Sequence, residues 1–188
     1  MIKSFALLSP SIVYLLLVSC IISACRNNST KVDLKDASPY FTYLLTENEE
    51  AVFRGIDFNK NADDVKKIEK AKLYETTTDH LFYEVSFPKD STQFAEYANV
   101  QYFFNENNQL DIIIADVFLA DTLQENKLKN TLNTYFNQKF ESVESKEFDY
   151  PVWSAEFDDK KTDKTYNYTI TLKDLSEDIG VTIEYIRE

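Results

Sequence analysis

One short stretch, DFNKNADD at residues 57–64, places side-chain oxygens at the spacing of a calcium-binding loop. Such a loop wraps carboxylate and amide oxygens from its positions 1, 3, 5 and 7 around one ion. The four matching residues are Asp57, Asn59, Asn61 and Asp63. The loop also needs glycine at position 6 and glutamate at position 12, where this chain has Ala62 and Ile68. We therefore favour a capped helix start over a calcium site, and predict that the chain holds no metal and no cofactor.

Other residue types that carry catalysis are scarce. The chain has one histidine, His80, and two glycines, Gly55 and Gly180, so phosphate cradles and strained nucleophile turns lack the glycines they require. At the head of a predicted strand, His80 is interpreted as a turn residue. Adjacent pairs of acids occur at residues 49–50, 63–64 and 158–159, among others. Adjacency alone does not indicate a buried general acid, so we predict solvated acids, no catalytic residue and no enzymatic activity.

The thiol of Cys25 is the third chemical candidate, because it ends an apolar run. Residues 12–24 read IVYLLLVSCIISA, the length of a secretory signal core and short of the about 20 apolar residues that span a bilayer. The last residues, ISAC at 22–25, resemble the lipobox of bacterial lipoproteins, in which the cysteine sulfur receives diacylglycerol. The resemblance implies a signal peptide over residues 1–24, with an uncleaved membrane anchor as the alternative. Polar residues follow, so residues 25–38 are predicted to be the lipidated cysteine and a flexible tether.

Lipid attachment would place the protein in the cell envelope, at the outer membrane on its periplasmic or surface face. With one cysteine lost in the signal and the other acylated, the folded part has no disulfide and must rely on packing. The chain carries 20 Lys and Arg against 32 Asp and Glu, a net charge of −12. Such a charge repels nucleic acid and anionic headgroups, so we predict no nucleic-acid binding and membrane contact only through the lipid on Cys25.

Hydrophobic periodicity predicts two amphipathic helices, each followed by three strands. The first helix starts at Asn61, and the second starts at Asp121, which forms a capping box with Gln124. Period-two alternation marks the strands. They read LFYEVSF (81–87), NVQYFF (99–104), LDIIIADVF (110–118), PVWSAEF (151–157), YNYTITL (166–172) and VTIEYI (181–186). In the third strand the alternation places Ile112 and Ile114 on the core face.

The second half of this pattern restarts the first, because LFYEVSF and PVWSAEF lie 70 residues apart in similar contexts. We therefore predict an α+β fold of two units, each a helix plus a three-stranded antiparallel meander, with the helices packed on one face of the sheet or sheets. The first unit would span residues 39–120 and the second residues 121–188. Chance alternation in a strand-rich chain is the alternative explanation.

A helix followed by a three-stranded meander on a lipid anchor resembles the outer-membrane assembly lipoproteins of the BamE type. In its doubled form it resembles the tandem-repeat β-lactamase inhibitor proteins. The stretch FRGIDFNKNADDVKKIE, residues 53–69, is similar to the glycine-then-helix start of such repeats, with Gly55 at the turn. The resemblance implies a protein that presents a sheet or loops to another protein. The composition, rich in Lys, Asn, Tyr, Phe and Ile, also resembles uncharacterised lipoproteins of Bacteroidetes.

These observations favour a lipid-anchored envelope protein that acts as a non-enzymatic interaction module, of the assembly, inhibitor or immunity type, with an envelope protein as partner. The alternative is a glycan- or metal-binding lipoprotein. It draws on DFNKNADD and on rings such as Phe82, Phe103 and Phe118, which are expected to lie outside the core. A glycoside hydrolase is a weaker alternative, because only the abundance of carboxylates suggests it.

Overall fold

The computed structural model describes residues 37–45, 51–88, 95–144, 148–160 and 162–188. Within these ranges the chain forms three helices and eight strands. The helices are α1 (Phe41–Leu44), α2 (Ala62–Ile68) and α3 (Thr122–Lys139). The strands are β1 (Lys72–Thr76), β2 (His80–Ser86), β3 (Tyr97–Phe104), β4 (Leu110–Phe118), β5 (Glu141–Ser142), β6 (Val152–Asp159), β7 (Lys164–Asp174) and β8 (Gly180–Arg187).

The strands form one antiparallel sheet in the order β1-β2-β3-β4-β8-β7-β6-β5. Its centre is the pairing of β4 with β8, which runs from Ile112 opposite Ile186 to Phe118 opposite Gly180. The predicted fold class, two α+β helix-plus-meander units, is therefore wrong, because the chain is mostly one continuous eight-stranded sheet with few and short helices. The physical reason is that β4 and β8 satisfy each other's backbone hydrogen bonds, which separate units would leave exposed at sheet edges.

The six predicted strands are confirmed as β2, β3, β4, β6, β7 and β8, with ends within two residues of the prediction. The two strands at the sheet edges were not predicted. All five residues of β1 are exposed, so β1 lacks the alternation of buried and exposed positions that marks a strand. The other edge strand, β5, is only two residues long. All residues of both edge strands are exposed, so neither strand has the alternation of apolar and polar residues on which the prediction depends.

The core lies on one face of the sheet, called the inner face below, which α3 and residues 53–58 cover. From α3, the ring of Phe136 lies 5.0 Å from that of Trp153 on β6 and 6.4 Å from that of Tyr185 on β8. Ahead of α2, Phe53 lies 5.4 Å from Tyr185. These side chains are almost fully buried, so a single core spans both halves of the chain.

A β-bulge at Asp111 reverses which side chains of β4 face the core from Ile112 onward. Phe103 pairs with Ile112 but Phe104 pairs with Leu110, so Asp111 is an extra residue opposite the β3 strand. Beyond the bulge the buried positions are Ile113, Ala115 and Val117. The prediction that Ile112 and Ile114 face the core is therefore wrong, because one inserted residue moves the side chains that follow it to the opposite face.

Both predicted helix caps are confirmed. The Asn61 Oδ1 atom accepts a 2.9 Å hydrogen bond from the backbone N–H of Asp64 at the start of α2. At the start of α3, Asp121 Oδ1 accepts a 2.8 Å bond from the N–H of Gln124. The capping box is only half formed, because the Gln124 Oε1 atom has no hydrogen-bond partner within the described residues.

A buried ion pair marks the end of α2. The Glu69 side chain, 1% exposed, accepts 2.8 Å hydrogen bonds from Arg54 Nε and Nη2 and from the Tyr102 hydroxyl. It also accepts 2.8 Å bonds from the backbone N–H groups of Lys70 and Ala71. Burial alone would raise the pKa of Glu69, but the hydrogen bonds and charge of Arg54 lower it overall. The pair fixes the segment ahead of α2 to β3 on the inner face.

Candidate functional site

The face of the sheet opposite the core, called the outer face, carries a row of apolar side chains across four adjacent strands. The pairing register places His80 beside Phe103, Phe103 beside Ile112, and Ile112 beside Ile186. Side chains on directly paired residues lie on the same face and contact one another. Antiparallel sheets with one solvated face normally place polar residues there, so an apolar row on the open face calls for an explanation.

A second row extends this surface. Phe82 and Ile114 lie two residues along β2 and β4 from the first row, on the same face. The ring of Tyr74, on edge strand β1, lies 5.9 Å from the ring of Phe82. We call these seven residues the apolar patch: Tyr74, His80, Phe82, Phe103, Ile112, Ile114 and Ile186. Tyr74 is 51% exposed and Ile186 is 37% exposed, while the others are half-buried.

The aromatic members of the patch are held in place by ring contacts. His80 stacks on Phe103 with ring centroids 4.6 Å apart and planes inclined by 21°. Further along the outer face, Phe118 stacks on Tyr97 at 4.7 Å. The sequence-based placement of Phe82, Phe103 and Phe118 away from the core is thus confirmed. Such side chains lose little conformational entropy on binding, because they are already ordered.

Acidic residues lie beside the patch. Glu84 on β2 and Asp116 on β4 occupy the next row of the outer face, and Glu184 on β8 is the paired neighbour of Ile114. The Thr182 hydroxyl donates a 2.6 Å hydrogen bond to Asp116. Glu184 accepts from Lys173 and, at 3.0 Å, from Thr171. Polar contacts within the sheet therefore hold Asp116 and Glu184 in fixed positions at the border of the patch.

His80 is interpreted from the sequence as a turn residue, but the structure makes it the first residue of β2, where it pairs with Phe103 and its ring belongs to the patch. Its Nε2 atom is buried and has no hydrogen-bond partner within the described residues. A general base would need a carboxylate or hydroxyl to orient it. The ring instead packs face to face against Phe103, which is a packing role on the outer face.

The DFNKNADD stretch uses its oxygens within the protein. Asp57 Oδ1 accepts a 3.0 Å hydrogen bond from the N–H of Asn59. Asp57 Oδ2 accepts a 2.8 Å hydrogen bond from Lys60 Nζ, and the two side chains form an ion pair. The Lys60 ammonium also donates to Asn59 Oδ1. Asn61 caps α2, and Asp63 lies in the first turn of that helix. Across the described residues, no three His, Cys, Asp or Glu side chains are grouped as a metal site would require.

A cleft of about 360 Å³ lies where residues 59–68 meet the turn between β6 and β7. Its lining residues are Asn59, Lys60, Asp64, Lys67, Ile68, Asp159 and Thr162. The two carboxylates are already engaged, because Asp64 lies 3.4 Å from Lys67 Nζ and Asp159 accepts from the Thr162 hydroxyl. Two lysines and two acids give the cleft no net preference for a charged ligand.

Several sequence predictions concern residues outside the described ranges: the signal peptide at 1–24, the lipidated Cys25, most of the tether and the acid pair at 49–50. Among the helices that the structure describes, none is long and apolar enough to cross a membrane. Sequence reasoning missed Ile112, Ile114 and Ile186 as members of the outer face. The signal that could have revealed the first two is Asp116, a charged residue that period-two alternation places on the predicted core face together with Ile112 and Ile114.

No protein-family model, no curated protein and no solved structure matches this chain.

Proposed function

We propose that this protein is a lipid-anchored, non-enzymatic interaction module of the cell envelope that binds another protein through the outer face of its sheet. The lipid on Cys25 would hold it at the outer membrane, on the periplasmic or surface face. The observation that carries the proposal is the apolar patch on a face that the protein's own core does not use. Contiguous apolar patches exposed on soluble domains mark interaction surfaces, whereas single exposed apolar side chains do not.

The chemistry of the patch supports a protein partner. Interfaces are rich in ordered aromatic and aliphatic side chains at the centre, with polar and charged groups at the rim. Here Phe103 and Ile112 supply the centre, and Glu84 and Asp116 supply part of the rim. Enzymatic hydrolysis would need two facing carboxylates in a cleft, but Asp64 and Asp159 are occupied by neighbouring side chains. Binding therefore fits the observed surface better than catalysis does.

Photocrosslinking in membranes tests the proposal. A photoreactive amino acid replaces Tyr74 in the patch, and in a second strain it replaces Leu123, which is 74% exposed on α3. Irradiation of intact cells followed by mass spectrometry should give one reproducible protein adduct from position 74 and none from position 123. If neither position gives a reproducible protein adduct, the proposed function is wrong.

The anchor is tested separately. Labelled palmitate should be incorporated into the wild-type chain, and the Cys25→Ser variant should lose both the label and its sedimentation with membranes. The Cys20→Ser variant is the matched control, because it removes the other cysteine of the chain and should behave as wild type. A variant without Cys25 that still carries label would contradict lipidation at that sulfur.

A further inference from the structure

The outer face is strongly acidic as well as apolar. From β2 to β8, the positions that share the face with the patch carry six acids: Glu84, Asp116, Glu141, Glu156, Asp158 and Glu184. The same positions carry a single base, Lys173, which is paired with Glu184. On the edge strand, Lys72 lies opposite Glu84 in the β1–β2 register, and its ammonium donates a 2.9 Å hydrogen bond to the Tyr74 hydroxyl. This local excess of negative charge has the same sign as the net charge of the whole chain, which is −12.

This charge argues against a second copy as the occupant of the face. Two copies docked face to face would bring acids of one outer face close to acids of the other, and like charges brought together across an interface are unfavourable. A cationic partner instead gains attraction from the same groups, both during diffusional encounter and in the complex. The apolar patch in turn requires a partner that presents apolar side chains, since a purely charged one would leave Phe82, Ile112 and Ile186 exposed.

We propose that the outer face binds a cationic polypeptide in which aromatic or aliphatic anchor side chains alternate with lysine or arginine. This inference rests on the proposed function and specifies the partner. The anchors would pack on the apolar patch, and the basic groups would lie against Glu84, Asp116 and Glu184. The mixture of the two contacts makes the surface selective, because a partner lacking either the charge or the anchors loses part of the interaction.

The test measures the binding of three fluorescent 12-residue peptides to the full chain in zwitterionic lipid nanodiscs, with empty nanodiscs as the blank. The first peptide alternates lysine with tryptophan and leucine, the second alternates lysine with serine, and the third alternates glutamate with tryptophan and leucine. Fluorescence anisotropy should give the tightest binding for the first peptide, by about tenfold or more over each of the others. Its affinity should also fall when the salt concentration is raised.

Matched variants locate the surface. Ile186 and Ile179 are 37% and 39% exposed, but Ile186 lies in the patch and Ile179 lies in the turn before β8. Ile186→Ser should weaken binding of the first peptide about tenfold, and Ile179→Ser should leave it unchanged. In the same way Glu84→Gln should weaken binding severalfold, whereas Glu177→Gln, an exposed acid in the same turn as Ile179, should not.

Three results would overturn the inference. The first is that the lysine–serine peptide binds as tightly as the peptide of lysine, tryptophan and leucine. The second is that the peptide of glutamate, tryptophan and leucine binds as tightly as that same lysine peptide. The third is a dimer of the full chain that Ile186→Ser dissociates, which would make a second copy the occupant. A protein adduct at position 74 in membranes, together with failure of the peptide series, would refute the cationic partner and leave the proposed function standing. Failure of both experiments would refute both.

Discussion

Replacing Glu69 by glutamine should destabilise the fold more than any comparable change of a surface acid. Glu69 accepts five hydrogen bonds, two from Arg54 and one each from Tyr102, Lys70 and Ala71. The substitution keeps the size of the side chain but removes its charge and turns one acceptor oxygen into a donor. If the amide nitrogen replaces Oε2, the Arg54 Nε–H and the Tyr102 hydroxyl both lose their acceptor.

The magnitude follows from the burial of the pair. Breaking a buried ion pair by removing one partner costs about 3–5 kcal/mol, because the remaining charge is left uncompensated. Arg54 is 16% exposed, so water can reach part of its guanidinium, and we expect the lower end of that range, about 3 kcal/mol. For a chain of this size that corresponds to a fall of about 6–12 °C in Tm. Tyr102→Phe removes one hydrogen bond to a charged group and should cost less, about 1.5–3 kcal/mol.

Urea unfolding followed by the fluorescence of Trp153 would measure both values. The control is Asp64→Asn, which breaks an exposed ion pair with Lys67, the side chains being 39% and 74% exposed. Exposed pairs contribute about 0–1 kcal/mol, so the control should unfold close to wild type. If Glu69→Gln and Asp64→Asn unfold at the same urea concentration, the buried pair does not hold the segment ahead of α2 to the sheet.

The same carboxylate predicts how stability depends on pH. The pKa of Glu69 is lowered in the folded state from its ordinary value of 4.5, so folding favours the ionised form. The resulting stabilisation is fully present above the unfolded pKa and is lost as the pH falls from about 4.5 through the folded pKa. In Glu69→Gln this part of the acid dependence should disappear, and the difference in unfolding free energy between wild type and variant should shrink as the pH falls. A difference that is constant with pH would show that charge is not the cause.

Three further predictions concern the sheet and its main helix. Gly180→Ala should cost about 2–3 kcal/mol or more in urea unfolding, because the new Cβ would lie 1.9 Å from the Val117 carbonyl oxygen. Ile113→Ala should cost about 2–5 kcal/mol while Ile112→Ala costs under about 1 kcal/mol, since the bulge buries only the first; equal costs would place the bulge elsewhere. Asp121→Ala should cost about 1 kcal/mol by thermal unfolding through loss of the α3 cap, whereas Asp121→Asn should be near neutral.

The sequence predicts those parts of the fold in which local pattern and burial coincide. Six strands alternate because one side of each faces the core, and Asn61 and Asp121 cap helices because their side chains reach N–H groups within the next turn. Edge strand β1 shows no alternation, because neither of its sides is buried. Local pattern therefore identifies an element only where the tertiary structure gives its two faces different environments.

The pairing of β4 with β8 could not be predicted in this way. Residues 112–118 and 180–186 lie far apart in the chain, and nothing in either strand specifies which neighbour it takes. Both strands are apolar enough to be central or to be the edge of a separate sheet. The restart of the pattern at Asp121 describes the order of elements along the chain, but it does not decide how many sheets those elements form.

The candidate site was predictable in part. Phe82 and Phe103 alternate with buried neighbours on β2 and β3, so the sequence alone places them opposite the core. Ile112 and Ile114 were assigned to the wrong face, because the bulge at Asp111 depends on the register between β3 and β4. The sequence therefore predicts scattered rings on the outer face, whereas only the pairing of four strands reveals that they form one surface.

The outer face can be changed without changing the fold, and this makes the binding experiments interpretable. The residues of the apolar patch lie outside the buried cluster that joins α3, residues 53–58 and the inner face of the sheet. Substituting half-exposed side chains away from such a cluster costs under about 1 kcal/mol. Ile186→Ser should therefore unfold close to wild type while losing peptide affinity. Stability measured beside affinity therefore separates a contribution of these side chains to folding from a contribution to binding.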